Sequence, residues 1–397
     1  MRRLLTIFAL VLPIAIGGCS GGSTASPSPS PTTEMPTASY SPPPDALVTP
    51  DADITLNNVQ PNDGTAPVVK FINTATKSID ISIYRIDSDF TAIVDPLAAQ
   101  AAKGIPVRIL ISRQLVGQPN PPEGNADQVA TKTALEKLGI QVELSRPEFH
   151  YGHEKSIIID AGTKNAVAMI ADWNLQASYF GPNQYGPVGA RGMAVVDKNP
   201  EDVQNIAETF NANWPPYREW PNSTRASLVW SPSGIEYTPV GNGVAALTDM
   251  FANAKTTLDL YAEYIQDNSF MLPKLIDVAK RGVKVRVIAN SSGQSPQIVS
   301  QLRDAGIDIR FDPHNATQAP EEVMFVHTKT AIADAATPER VMFIGSQNQF
   351  LNESLESILE LGILVKGPAT IEKVKTFFES DWDSATETQV TSSASSN

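Results

Sequence analysis

A chain of 397 residues with a single cysteine, Cys19, has no intramolecular disulfide framework. Histidine is nearly as scarce, with four residues in all. The largely apolar stretch from Leu4 to Ile16 is 13 residues long, short of a comfortable bilayer span, and no longer one follows it. Positive charge is in deficit: 30 Lys and Arg against 43 Asp and Glu leave a formal charge of −13. That balance disfavours nucleic acid as a broad-surface partner, while a local pocket with a few lysines stays open to an anion. There is no Gly-rich phosphate-cradling loop with its Lys, and His153-Glu154-Lys155 lacks the second His of the zinc-protease helix. His150 and His153 form a His-x-x-His pair, but spacing supplies no further ligands, so no metal is implied. The chain does hold 42% hydrophobic residues, enough to build two compact domains.

Arg2 and Arg3, the apolar stretch and Ile16-Gly17-Gly18-Cys19 together resemble a bacterial lipoprotein signal. The resemblance implies cleavage before Cys19, a lipid on its sulfur, and export to a membrane surface of the cell envelope. A plain secretory signal or an uncleaved anchor are the alternatives. Residues 1–18 thus read as signal and 19–56 as a Ser/Pro/Thr-rich tether, as in Ser41-Pro42-Pro43-Pro44. Residues 385–397 read as a polar, disordered tail.

Between tether and tail lie two similar halves, 57–225 and 226–384. Ser78 to Tyr84 alternates as a strand, and Thr257 to Tyr261 starts its match. In each half a helix-like segment ends at a glycine, Gly104 or Gly282, and a buried-looking strand follows, 105–111 or 283–288. Helix, glycine and strand recur at Leu138-Gly139-Ile140 and Ala305-Gly306-Ile307. Each half closes on an aromatic pair at helical spacing, Phe210 with Trp214 and Phe378 with Trp382, read as core packing. Alternating strands and helices predict an α/β fold, one helix-flanked sheet per half.

The most informative repeat is chemical. His153, Lys155, Asp160 and Asn174 recur as His327, Lys329, Asp334 and Asn348 at one constant offset. On a strand, positions i and i+2 share a face, so each His projects with its Lys. Two such faces brought together surround one anion with two ammonium groups, two amides and two imidazoles. A phosphodiester fits: one neutral His attacks phosphorus while the other, protonated, donates to the departing oxygen. The expected catalytic residues are His153, Lys155, Asp160, His327, Lys329 and Asp334, although both Asp side chains also read as turn carboxylates. Asn174, Ser346 and Asn348 are the expected phosphate ligands. Trp173 and Tyr179 beside the first set line either a substrate pocket or the core.

These tetrads resemble the HKD motifs of the phospholipase D superfamily. His327-Thr328-Lys329, Asp334, Gly345-Ser346-Gln347-Asn348 and the downstream Glu360 carry the closer match. The resemblance covers roughly residues 60–385. It implies two α/β domains related by a pseudo-two-fold axis with the active site at their interface, a phosphohistidine intermediate, and no metal or other cofactor. The first set departs from the pattern at Ala171-Asp172-Trp173-Asn174. Aligning Gly192 with Gly362 puts Ala190 opposite Glu360, so a His-orienting carboxylate is missing from the first half. Asp172 could take over that task, repel phosphate, or face solvent. If a carboxylate partner makes the better nucleophile, His327 with Glu360 is favoured, but many relatives use the N-terminal His and the choice stays open. The expectation is a hydrolase acting on phospholipid head groups, monomeric because one chain carries both tetrads, and tethered through Cys19. A surface nuclease, a phosphatidyl transferase and a non-catalytic binding module are the alternatives.

Overall fold

The computed structural model describes residues 53–119, 123–181, 189–221, 224–233, 241–313 and 323–389. The signal, residues 19–52 of the tether, His314 and most of the tail lie outside these residues, and the last tether residues, expected to be irregular, instead open β1. The first half runs β1 (Ile54–Gln60), α1 (Ala66–Ile72), β2 (Ile79–Ile83), α2 (Thr91–Ala102), β3 (Val107–Ile111), α3 (Ala126–Glu136), β4 (Gln141–Leu144), β5 (Ser156–Ile159), β6 (Val167–Ala171), β7 (Ala190–Asp197) and α4 (Pro200–Asn213). The second runs β8 (Leu228–Ser231), α5 (Gly243–Asn253), β9 (Thr257–Ala262), α6 (Met271–Lys280), β10 (Lys284–Ala289), α7 (Pro296–Asp304), β11 (Asp308–Phe311), β12 (Phe325–Val326), β13 (Ala331–Ala333), β14 (Val341–Gly345), α8 (Asn352–Glu356), β15 (Glu360–Val365) and α9 (Pro368–Ser384).

Each half builds one mixed sheet. The first has the order β1-β7-β6-β5-β2-β3-β4, and the second β11-β10-β9-β13-β14-β15-β8. β2, β3 and β4 are parallel, as are β9, β10 and β11, because a helix crosses between successive strands. Those helices end where the sequence predicts: Gly104 and Gly282 take φ of 84° and 87°, which a side chain would resist. The two sheets share a central core. Ile158, Ile170 and Val195 of the first sheet pack in one cluster with Ile332, Ile344 and Ile363 of the second, closed by Phe210 of α4 and Phe378 of α9.

β2 corrects one detail of the alternating pattern. Every residue in it is buried, Asp80 included, because the sheet is covered on both faces. The carboxylate is neutralised by Arg108 at 2.6 Å, and Asp259 is met likewise by Arg286 at 2.7 Å. Each guanidinium lies over the aromatic pair at the end of its half, Arg108 over Phe210 and Trp214, Arg286 over Phe378 and Trp382. These ion pairs fix the register between halves: Asp80 corresponds to Asp259, and therefore Tyr84 to Glu263.

Candidate active site

Each half lends its His-bearing segment to a strand of the other. The His153 amide donates to the Leu359 carbonyl at 2.8 Å, and the Leu359 amide to the Tyr151 carbonyl at 3.1 Å. In return β12 pairs in parallel with β7, and the amides of His327 and Thr328 donate to the Arg191 carbonyl at 3.1 and 2.8 Å. The His-x-Lys tripeptides are not strand residues, as the sequence suggested. They form the extended approach to β5 and β13, and each lysine turns back so that Nζ donates to the carbonyl of its own histidine, at 2.7 Å for Lys155. Both lysines are fully buried. Lys155 also faces the Tyr84 ring, 5.7 Å from its centroid, and Lys329 pairs with Glu263. Aromatic edges fix the imidazoles: Tyr84 packs at 4.8 Å from His153, and Tyr179 at 4.7 Å from His327.

The two histidines sit in one electrostatic field but are not equivalent. His153 Nδ1 is 2.8 Å from Glu360 Oε2, and Ser354 Oγ donates to the other Glu360 oxygen. No side chain among the described residues hydrogen-bonds His327 Nδ1. Burial holds the His153 imidazole below its ordinary range, with Glu360 opposing and Lys155 adding to the effect. His327 is held well below that range by burial first, then by Lys329, Lys155 and His153. Burial also pulls Lys155 down to about 7, against Glu360. Both imidazoles are therefore biased toward the neutral form, and only His153 has a carboxylate fixing its Nδ1–H tautomer, which leaves Nε2 free to attack.

Several expectations need correction. Glu360 pairs with His153 across the halves, not with His327. The structural register, Asp172 amide to Met193 carbonyl and Ser346 amide to Leu361 carbonyl, sets Met193 opposite Leu361. Gly192, not Ala190, is therefore the counterpart of Glu360. A Cβ on Gly192 would lie 2.9 Å from Asp172 Oδ1, so the missing side chain makes room for that carboxylate. Asp172 does not touch the His327 ring with its side chain. It accepts from the Met193 amide at 2.8 Å and from the hydroxyl of Thr328, holding His327 through its neighbour. Burial raises this carboxyl to about 6, against the Thr328 hydroxyl. Ser346, expected on phosphate, spends its hydroxyl on the Leu361 amide and carbonyl.

Asp160 and Asp334 stand outside the site. They lie at the far ends of β5 and β13, with φ of 56° and 52°. Asp160 accepts from the amides of Thr76, Lys77 and Ser78 and from the Thr76 hydroxyl; Asp334 does the same with Lys255, Thr256 and Thr257. They pin the strand ends to the entries of β2 and β9. Asn174 and Asn348 are buried, and the Oδ1 atoms of both lack a protein partner among the described residues. Asn174 Nδ2 donates to the Tyr179 hydroxyl at 3.2 Å. Trp173 belongs to the core, its Nε1 bonded to Asn58 and its ring against Phe180. His150 turns to Glu353 of the other half.

Glu154, between His153 and Lys155, is buried and accepts from Ser156 Oγ at 2.7 Å. Burial pushes its carboxyl up to about 7, against the Ser156 and Ser82 hydroxyls and Lys155. An acid whose folded value exceeds its unfolded one favours folding at low pH, and that advantage is lost as pH rises through the folded value. Glu154→Gln is therefore expected to raise the melting temperature at pH 8, by up to about 3 kcal/mol of stability, and to change little near pH 4.5. Paired thermal melts check this; an equal shift at both pH values refutes it.

Residues 68–214 and 247–382, one stretch in each half, match the cardiolipin synthase, PLD-like domain family, and the chain belongs to the phospholipase D superfamily. Over 126 residues it is 30% identical to the virion nicking-joining enzyme of vaccinia virus (strain Western Reserve), a stretch that is 30% of this chain and 27% of the viral protein. Its fold is similar to phosphatidylserine synthase of Haemophilus influenzae Rd KW20, with a TM-score of 0.63 at 11% identity over 85% of this chain and 88% of that one. It is also similar to polyphosphate kinase of Porphyromonas gingivalis, with a TM-score of 0.58 at 15% identity over 86% of this chain and 53% of the kinase. The chain thus spans about a quarter of the viral relative's length and about half of the kinase's.

Proposed function

We propose that the protein is an exported phosphodiesterase, tethered to a membrane through lipidated Cys19, that hydrolyses phospholipid head groups through a phosphohistidine. The observation that carries the chemistry is the crossed pair of His-x-Lys segments, with Glu360 behind His153. In the first step His153 Nε2 forms the P–N bond, the P–O bond to the leaving alcohol breaks, and His327, having taken up a proton as the anionic substrate binds, gives it to that oxygen. In the second step water attacks phosphorus, His327 takes the water proton, the P–N bond breaks, and a phosphomonoester leaves. Lys155, Lys329, Asn174 and Asn348 supply donors for the equatorial oxygens.

The lipid reading draws on the rim. Phe325 lies 6.4 Å from the His327 ring, Tyr264 follows Glu263, and the Val116 amide binds the Tyr84 hydroxyl. These three side chains and Val323 are exposed, Val116 at 73%. Apolar groups exposed around one polar centre suit a substrate with an apolar body. Likeness to the viral nicking-joining enzyme favours the rival nuclease reading. A panel of phosphatidylcholine vesicles, single-stranded DNA and plasmid separates them. Release of head group with intact DNA is expected; DNA cleavage that weakens steeply with salt, with no lipid turnover, transfers the site to nucleic acid.

A further inference from the structure

The centre contains a carboxylate that neither tetrad includes. Glu263 follows β9, is nearly buried, forms an ion pair with Lys329 and lies 4.0 Å from His327 Nε2. Nε2 is the nitrogen that must face the leaving oxygen, so Glu263 stands at the reacting side of the ring. Its counterpart in the first half, Tyr84, gives Lys155 only the face of an aromatic ring. Lys329 thus has a carboxylate in direct contact, while Lys155 meets Glu360 only at longer range. A negative group beside a phosphate site costs affinity, and in a reaction that turns a singly charged diester into a doubly charged monoester, that cost falls mainly on the product. With Lys329 unpaired, its ammonium would hold the extra product charge, and release would be slow.

We propose that Glu263 is a specificity-determining residue that cancels the charge of Lys329, so that the centre accepts a singly charged phosphodiester and releases the doubly charged phosphomonoester. The inference rests on the diesterase reading. The titratable groups around Glu263 are Lys155, Lys329, His153, His327, Glu360, Tyr84, Tyr179 and Tyr264.

The test is inhibition of bis(p-nitrophenyl) phosphate hydrolysis by inorganic phosphate, in the parent, Glu263→Gln and Glu263→Asp, with phosphate binding measured in parallel by calorimetry. At pH 8, where phosphate is mainly a dianion, Glu263→Gln is expected to lower the inhibition constant at least tenfold while the KM for the diester changes much less. Glu263→Asp keeps the parent value. At pH 5.5, where phosphate is a monoanion, the gain shrinks. A purely structural role would move diester and phosphate together at both pH values. Should Glu263→Gln fold poorly, Glu263→Tyr installs the residue that the first half carries at this place. An active parent whose Gln variant binds phosphate no more tightly at pH 8 overturns the inference. A parent that hydrolyses no diester yet gains phosphate affinity on Glu263→Gln overturns the diesterase reading and keeps the charge assignment.

Discussion

Replacing His153 with alanine is expected to abolish turnover of a chromogenic phosphodiester, by on the order of 10^6-fold, and to remove all covalent phosphate from the protein. Replacing His327 produces a different failure. With a nitrophenolate leaving group the departing oxygen hardly needs a proton, so the first step proceeds without its acid. The second step then lacks the base that activates water, and steady-state turnover falls about 10^2- to 10^4-fold. His327→Ala should therefore release one nitrophenolate per protein in a burst and accumulate phosphate on His153. This difference follows from the asymmetry of the site. His153 is held by Glu360 at 2.8 Å, while His327 Nδ1 has no side-chain partner among the described residues. Rapid-quench kinetics with mapping of the labelled histidine gives the answer, and phosphate trapped on His327 in His153→Ala would reverse the two roles.

Much of this was legible before the fold was known, and the boundary of legibility has a physical cause. Helix, glycine and strand at Gly104 and Gly282 are local events, set by propensity and by a backbone angle only glycine takes easily, so sequence exposes them. The twin tetrads were visible because the chemistry needs the same residue types twice. What sequence hides is pairing across the halves. Glu360 follows Ser346 and Asn348 of the second set in sequence, which suggests His327 as its partner, yet the His153 amide binds the Leu359 carbonyl and carries His153 to it. Matching Gly192 to Gly362 misplaces the register by two residues, because Ala194 takes the place of Gly362 in the first half: Ala171 pairs with Ala194 as Gly345 pairs with Gly362. Glu263 belongs to no motif; its signal is its place just after β9, where Tyr84 follows β2. Asp160 and Asp334 were half legible. Their repetition marked them as required, but repetition does not distinguish a reacting group from a staple that every copy of the fold needs.

That distinction leads to the second large effect. Asp334 accepts at 2.9 Å from the Lys255 amide, at 2.7 Å from the Thr256 amide and hydroxyl, and at 3.0 Å from the Thr257 amide, at φ of 52°. Alanine at this position strands three backbone donors and adds the strain of a left-handed conformation, a loss of about 4 kcal/mol. Asparagine tolerates the backbone and keeps one acceptor oxygen, so Asp334→Asn is expected to cost less, about 1–2 kcal/mol. Burial alone would raise this carboxyl, but the Thr256 hydroxyl and the three amides outweigh it and hold the group below its ordinary range. A depressed folded value means that the contribution is present above pH 4 and lost as pH falls through the folded value. The gap in melting temperature between parent and variant should therefore narrow in acid, the opposite sense to Glu154, whose advantage fades as pH rises. Because the staple sits at the far end of β13 from His327, kcat per folded molecule should stay within about threefold of the parent in Asp334→Asn, well short of the 10^2-fold or more that a reacting group commands. Melts across pH 3 to 8 with active-site-normalised kinetics test both halves of the claim. A variant that melts like the parent but has lost a hundredfold in kcat would return Asp334 to the chemistry and leave the strand end without its staple.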